Sequence, residues 1–224
     1  TGSAALGATL LGGKGANLSR LVAAGLPVPP CEVLTTAAYR LALSVPDLRS
    51  LLDELVRGDA LADSEIDRRF LAADLPEPVL AVTAGLLDRL GPDVAVRSSA
   101  TTEDLEGASF AGQYRSVLDV TDGPGLRRAL RLVWASLWHR APRAYRRFHG
   151  FHADVDMAVV VMTMVPARRA GVAFTRDPGR ASDRIRVESV EGLAESLVSG
   201  AATPHCSLLD RTDPSQPQAP VPMA

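Results

Sequence analysis

The sequence predicts an α+β fold in two lobes, and three observations carry that expectation. Apolar residues recur at three- and four-residue spacing through the first half of the chain, which is helical periodicity. Short runs rich in Val and other apolar residues occupy the last third, punctuated by Pro166, Pro178 and Gly179. Helices are thus gathered early and strands late, instead of alternating as a parallel α/β sheet requires.

Taken in order, residues 14–24 place Leu18, Leu21 and Val22 at helical spacing, with Gly25 as the stop. Pro27, Pro29 and Pro30 force an extended connection, and residues 32–35 read as a short strand. Helices are expected over 47–57 behind Pro46, over 64–73 with Asp63 as N-cap, and over 77–90 ending at Gly91. Residues 94–97 (VAVR) form a Val-rich buried strand, and residues 114–120 a second strand. A long helix fits 125–139, where Leu126, Leu130, Val133, Trp134 and Leu137 share one face, and another fits 142–148. Trp134, Trp138 and Phe148 are candidate core residues. Strands follow at 158–165, 171–175 and 184–190, then a short helix at 193–199. The ordered domain is expected over 1–210, with the Pro-rich stretch 211–224 as a linker or tail.

Of the 224 residues, 46% are hydrophobic and 22% charged, which is ordinary globular composition. With 24 basic residues against 26 acidic ones, net charge singles out neither nucleic acid nor an anionic membrane as partner. No apolar run reaches membrane-span length, and Thr1-Gly2-Ser3 opens no signal peptide, so a cytoplasmic location is expected. Cys31 and Cys206 fit no CxxC or Cys/His pattern and read as free thiols. The histidines His139, His149, His152 and His205 have no Ser, Asp or metal-spaced partner in the sequence. The arginines of 140–147 (RAPRAYRR) read as helix-surface charge.

Two stretches carry chemistry. In 11–18 (LGGKGANL), glycines precede a helix whose first N–H groups suit an anion, and Lys14 adds a mobile positive charge there. The GxxxxGK[ST] spacing is absent, and a plain turn leading into a helix accounts for the same residues. In 96–114 (VRSSATTEDLEGASFAGQY), Arg97 ends a buried strand beside the hydroxyls of Ser98, Ser99, Thr101 and Thr102, and Gly107, Ser109 and Gly112 make the following loop pliable. An arginine so placed can grip phosphate oxygens in bidentate fashion, and such a loop can close over a nucleotide. A surface loop with solvated Glu103, Asp104 and Glu106 is the competing account.

The ordered series LGGKGANL, GLPVPP, VRSSATTEDLEGASFAGQY, AGVAFTRDP and GLAESLVSGAATP resembles the N-terminal domain of the pyruvate phosphate dikinase and phosphoenolpyruvate synthase family, over about residues 11–210. The wording near WASLWHRAPRAYRRFHG is most similar to rifampicin phosphotransferases. The resemblance implies an ATP-grasp fold with a nucleotide cleft, binding of ATP with Mg2+, and transfer of phosphate to a histidine on a swivelling domain. From there it would pass to pyruvate, an antibiotic hydroxyl or a similar acceptor. It also implies phosphate-binding roles for Lys14 and Arg97, a nucleotide-lining role for Gly112 and Ser116, and an adenine contact at Met162 on the strand 159–165, which matches the family's hinge between lobes.

Departures from the family pattern accompany these matches. Met162 stands where a glutamine is usual, Ser116 where threonine is frequent, Cys31-Glu32 where a Gly-aromatic pair is usual, Ala194 at a usual glycine and Glu191 at a common tryptophan. The family's Asp-Ile-Glu-Trp and Gln-x-Arg-Pro segments, which supply a magnesium carboxylate and further phosphate contacts, are not in this sequence, nor is the phosphohistidine motif. A third subdomain is therefore expected to be missing, the metal ligands to lie mostly outside the chain, and the chain alone to be catalytically incomplete. A non-catalytic nucleotide-binding or scaffold module is the rival expectation.

Overall fold

The computed structural model describes residues 7–58, 60–101, 114–148, 155–176 and 184–211. The chain divides into two compact units, Thr1–Met164 and Val165–Ala224. Both combine helices with antiparallel sheets, the α+β architecture expected from the sequence.

In the first unit, α1 (Ala8–Ala23) leads to β1 (Cys31–Leu34), and five helices follow: α2 (Thr36–Leu43), α3 (Pro46–Arg57), α4 (Asp63–Ala72), α5 (Glu77–Thr83) and α6 (Leu86–Leu90). Then come β2 (Val94–Ala100), β3 (Ser116–Val120), α7 (Gly123–Ser136), α8 (Arg140–Phe148) and β4 (Met157–Thr163). The strands form one sheet in the order β1-β4-β2-β3, every pair antiparallel. Side chains alternate across it. Leu34, Val94, Val96, Val120, Val159 and Val161 join the core with Tyr39 of α2, Ile66 and Phe70 of α4, and Leu126, Leu130 and Trp134 of α7. Burying these apolar groups is what holds the helix layer to the sheet, each large side chain contributing roughly 1.5–3 kcal/mol. The central strand β4 is buried along almost its full length, because α1 also packs against it.

Several elements differ from the sequence expectation. Helix α2 has no counterpart among the sequence expectations; TAAYRLAL is helical because it buries Tyr39 and Ala42 against the core, a tertiary gain that local pattern does not announce. The single helix expected over 77–90 is two, broken where Gly85 takes φ 71°, a left-handed conformation open to glycine. Ala62, not Asp63, is the N-cap of α4; Asp63 lies in the first turn and accepts the backbone N–H of Arg140 at 2.7 Å. Helix α7 starts two residues early because Asp122 caps it, accepting Gly125 N–H at 2.6 Å. Phe148 is 85% exposed, not core, whereas Arg146 is buried, donating to Leu137 O at 2.6 Å and lying 5.6 Å from the Trp138 ring. Leu21 and Val22, which carry the helical spacing of α1, are exposed; the helix buries Leu11, Gly12, Gly13, Gly15 and Ala16.

The second unit is a three-stranded antiparallel sheet, β5 (Arg169–Phe174), β6 (Ile185–Glu191) and β7 (His205–Leu209), with the short α9 (Glu195–Val198) between β6 and β7. Strand β7 was not expected from HCSLL, whose alternation is only five residues long. Among the described residues no single helix is long and apolar enough to cross a membrane. The expected tail from 212 onward lies outside the described residues.

Candidate functional site

The glycine-rich stretch before Lys14 forms a kink. Residues on either side of Gly12 are helical, but Gly12 has φ 67° and ψ 175°, a region that is essentially glycine-only. A Cβ there would stand 1.9 Å from the carbonyl oxygen of Ser99, so α1 can approach β2 this closely only without a side chain. Ser99 Oγ then accepts the backbone N–H of Gly15 at 2.9 Å and donates to Leu11 O at 2.7 Å. These bonds span 84 and 88 residues of sequence and fasten the start of the helix, with Lys14 in it, to the sheet.

Ser99 lies two residues beyond Arg97 on β2, so the two share a sheet face. Cross-strand register extends that face: Arg97 is paired with Ser116 of β3 and Val160 of β4, and Ala95 with Met162, itself opposite Cys31. Arg97, Ser116 and Met162 are thereby brought to the side of the sheet on which α1 packs. The face grades from a polar end, at Arg97 and Ser116, to an apolar end at Ala95, Val160, Met162 and Cys31. Arg97 is partly buried, and among the described residues its guanidinium has no hydrogen bond or ion pair to protein. Gly112, the fifth residue singled out in the sequence, lies outside the described residues, as do Glu103 and Asp104.

The hydroxyls beside Arg97 behave differently from their sequence expectation. Ser98 and Ser99 are both buried, and Ser99 Oγ is occupied with α1. Ser99 therefore serves the frame of the face and not a ligand. Its role had no local signal, because the partners are more than 80 residues away.

At the apolar end, burial chiefly, and then the neighbouring Glu32 carboxylate, push the Cys31 thiol above its ordinary pKa. Glu32 is held below the usual carboxylate range, first by its hydrogen bonds from Arg89, at 2.6 and 3.0 Å. That pair ties β1 to α6 on the helix side of the sheet. Cys31 and Cys206 are both free thiols, as expected. Of the histidines, His139 does have an acidic partner, contrary to the sequence reading: its Nε2 is 2.8 Å from Asp67 Oδ1, a residue 72 positions away. His149 and His152 lie outside the described residues. Among the described residues no three His, Cys, Asp or Glu side chains gather in one place.

Comparison with known proteins identifies the family of the chain. Residues 8–218 match the family described as "Pyruvate phosphate dikinase, AMP/ATP-binding domain". A probable phosphoenolpyruvate synthase of Methanothermobacter thermautotrophicus is 38% identical over 218 residues, covering 90% of this chain and 32% of the relative. The phosphoenolpyruvate synthase of Aeropyrum pernix is 35% identical, covering 91% of this chain and 27% of its own length. The prodigiosin synthesizing transferase PigC of Serratia marcescens is 38% identical, with 90% and 22% covered. The chain thus spans about a third or less of these curated relatives. Since the match takes in both units and nearly every residue described, the chain belongs to the pyruvate phosphate dikinase AMP/ATP-binding domain family.

Proposed function

We propose that this domain binds ATP against the α1 face of the four-stranded sheet and aligns its phosphates for dikinase-type transfer. The observation that carries the reading is Arg97: a partly buried guanidinium with no protein partner among the described residues, two positions from the serine that anchors the glycine-rich start of α1. Arg97 and Lys14 would supply positive charge, the guanidinium as a fork for two oxygens and the ammonium as a mobile point charge. The helix start adds backbone N–H groups suited to anions. Ser116, beside Arg97, and Gly112 would line the polar end, and Met162 would pack its thioether on the adenine. The fold that goes with this reading is ATP-grasp.

In the parent reaction both phosphoanhydride bonds of ATP break: the β-phosphate passes to a histidine of a swivelling domain as AMP leaves, and water takes the γ-phosphate as inorganic phosphate. The phosphohistidine then hands its group to pyruvate, an antibiotic hydroxyl or a similar acceptor. Catalysis of this kind is mostly positioning and charge neutralisation. Magnesium accompanies ATP in this reading, with its ligands mostly in segments outside this chain.

Calorimetric titration tests the proposal. The 224-residue chain should bind ATP weakly, bind it more weakly still as Lys14→Ala or Arg97→Ala, and turn it over negligibly. Binding unchanged by both substitutions, or none at all, sinks the site. Robust cleavage to AMP by the chain alone sinks its incompleteness. ATP binding without cleavage in the full-length parent would favour the non-catalytic module.

A further inference from the structure

Asp67 belongs to none of the motifs that the sequence singles out, yet side chains from two other parts of the first unit meet at it. Arg115 Nη1 donates to its Oδ2 at 2.9 Å, and His139 Nε2 lies 2.8 Å from its Oδ1. The His139 and Asp67 side chains are only 15% and 18% exposed, so this is not the solvated surface pair that contributes little. Arg115 is held a second time through its main chain: its N–H donates to Ser136 Oγ at 3.1 Å, and that buried hydroxyl donates to Val133 O at 2.6 Å. The residue is thus fastened by its side chain to α4 and by its backbone to α7. His139, at the junction of α7 and α8, braces the carboxylate from the other side.

The consequence lies one residue on. Ser116 opens β3 and is the cross-strand partner of Arg97. Among the described residues strand β3 is at the sheet edge, paired with β2 alone, and its ladder is irregular between Val94 and Val96. An edge strand has one ladder to hold its register, and a slip of one residue would exchange the faces of Arg115 and Ser116. We infer that Asp67 is a positioning residue of the nucleotide face: by drawing the Arg115 guanidinium into the helix layer, it fixes where β3 begins and keeps Ser116 beside Arg97. The inference rests on the ATP-binding reading above and adds to it a residue on the opposite side of the sheet, touching no nucleotide.

The test uses the 224-residue chain with three variants, Asp67→Asn, Arg115→Met and Asp67→Glu. The readouts are thermal unfolding, hydrogen exchange of residues 114–120, and ATP titration. Asp67→Asn and Arg115→Met should speed exchange in 114–120 and weaken ATP binding about three- to tenfold, with unfolding still cooperative. Asp67→Glu, which keeps the carboxylate, should recover most of both. If Asp67→Asn only lowers the unfolding temperature, with ATP affinity unchanged, the cluster is structural and the positioning role falls. Unchanged exchange in 114–120 overturns it equally. If the unsubstituted chain binds no ATP while exchange still responds to Asp67→Asn, the nucleotide reading fails and the hold on β3 stands.

Discussion

The hydroxyl of Ser99 accepts the backbone N–H of Gly15 at 2.9 Å, a buried bond between a strand and a helix start 84 residues apart. Because Arg97 is two residues upstream of Ser99 and Lys14 is one residue before Gly15, this bond sets the relative placement of the two cationic residues. The kink at Gly12 permits it. Ser99→Ala should leave a buried N–H unsatisfied and cost about 1–3 kcal/mol of stability. Gly12→Ala should cost more than about 2 kcal/mol, since it meets both a glycine-only backbone region and the Ser99 carbonyl. Denaturant unfolding measures both; a Gly12→Ala protein as stable as its parent would contradict the kinked geometry.

For Arg97 the expected signature is kinetic. With no protein partner among the described residues, the side chain contributes little to folding, and Arg97→Lys retains its aliphatic stem. In a full-length parent carrying this domain, Arg97→Lys should lower kcat/KM for ATP about ten- to a hundredfold, the loss of a charged, forked hydrogen-bond set worth roughly 1.5–3 kcal/mol. Steady-state kinetics with unfolding as control decides it. ATP kinetics equal to the parent's would remove Arg97 from the site.

Cys31 offers a pH-dependent probe of the apolar end of the face. Its pKa is raised, by burial first and by Glu32 second, so the neutral thiol persists to higher pH than in a free cysteine. Since the thiolate is the nucleophile, alkylation should be slow near neutrality, and its rate should climb with a midpoint above that of an unperturbed thiol. Glu32→Gln should shift that midpoint down modestly, because burial, the larger cause, remains. ATP should protect Cys31, which is opposite Met162 in the ladder. Iodoacetamide labelling followed by mass spectrometry reads all three; a midpoint at or below the ordinary thiol value contradicts the burial argument.

Asp119 is the one residue other than glycine with positive φ among the described residues, at 54°. It falls where two residues of β3 oppose one of β2, between the pairs Val94–Val120 and Val96–Val117. Glycine meets this conformation without steric cost, and a β-branched residue meets it badly. Asp119→Gly should be neutral to stabilising by up to about 1 kcal/mol, and Asp119→Val destabilising by about 1–2 kcal/mol. Thermal unfolding should order the variants Gly, Asp, Val; the reverse order would deny the bulge.

The α+β class, most elements and the family were legible in the order of the residues. These depend on local periodicity, on punctuation by Gly and Pro, and on motifs contiguous in the chain. The apolar face of α7, from Leu126 to Leu137, and the buried run of β4 were legible for that reason. So was the candidacy of Lys14 and Arg97, each embedded in a distinctive stretch. The remaining features depend on partners far apart in the chain and emerge only in the folded molecule. Helix α2 is held by burying Tyr39 and Ala42 among residues from other elements. Strand pairing puts Arg97, Ser116 and Met162 on one face, through register that no single segment encodes. Ser99 binds Gly15, and Asp67 joins Arg115 to His139, across separations of 84, 48 and 72 residues. A hydrogen bond leaves a local mark in sequence only when its partners are near neighbours. These were found because folding, driven by burial of the core, carried their strands and helices together.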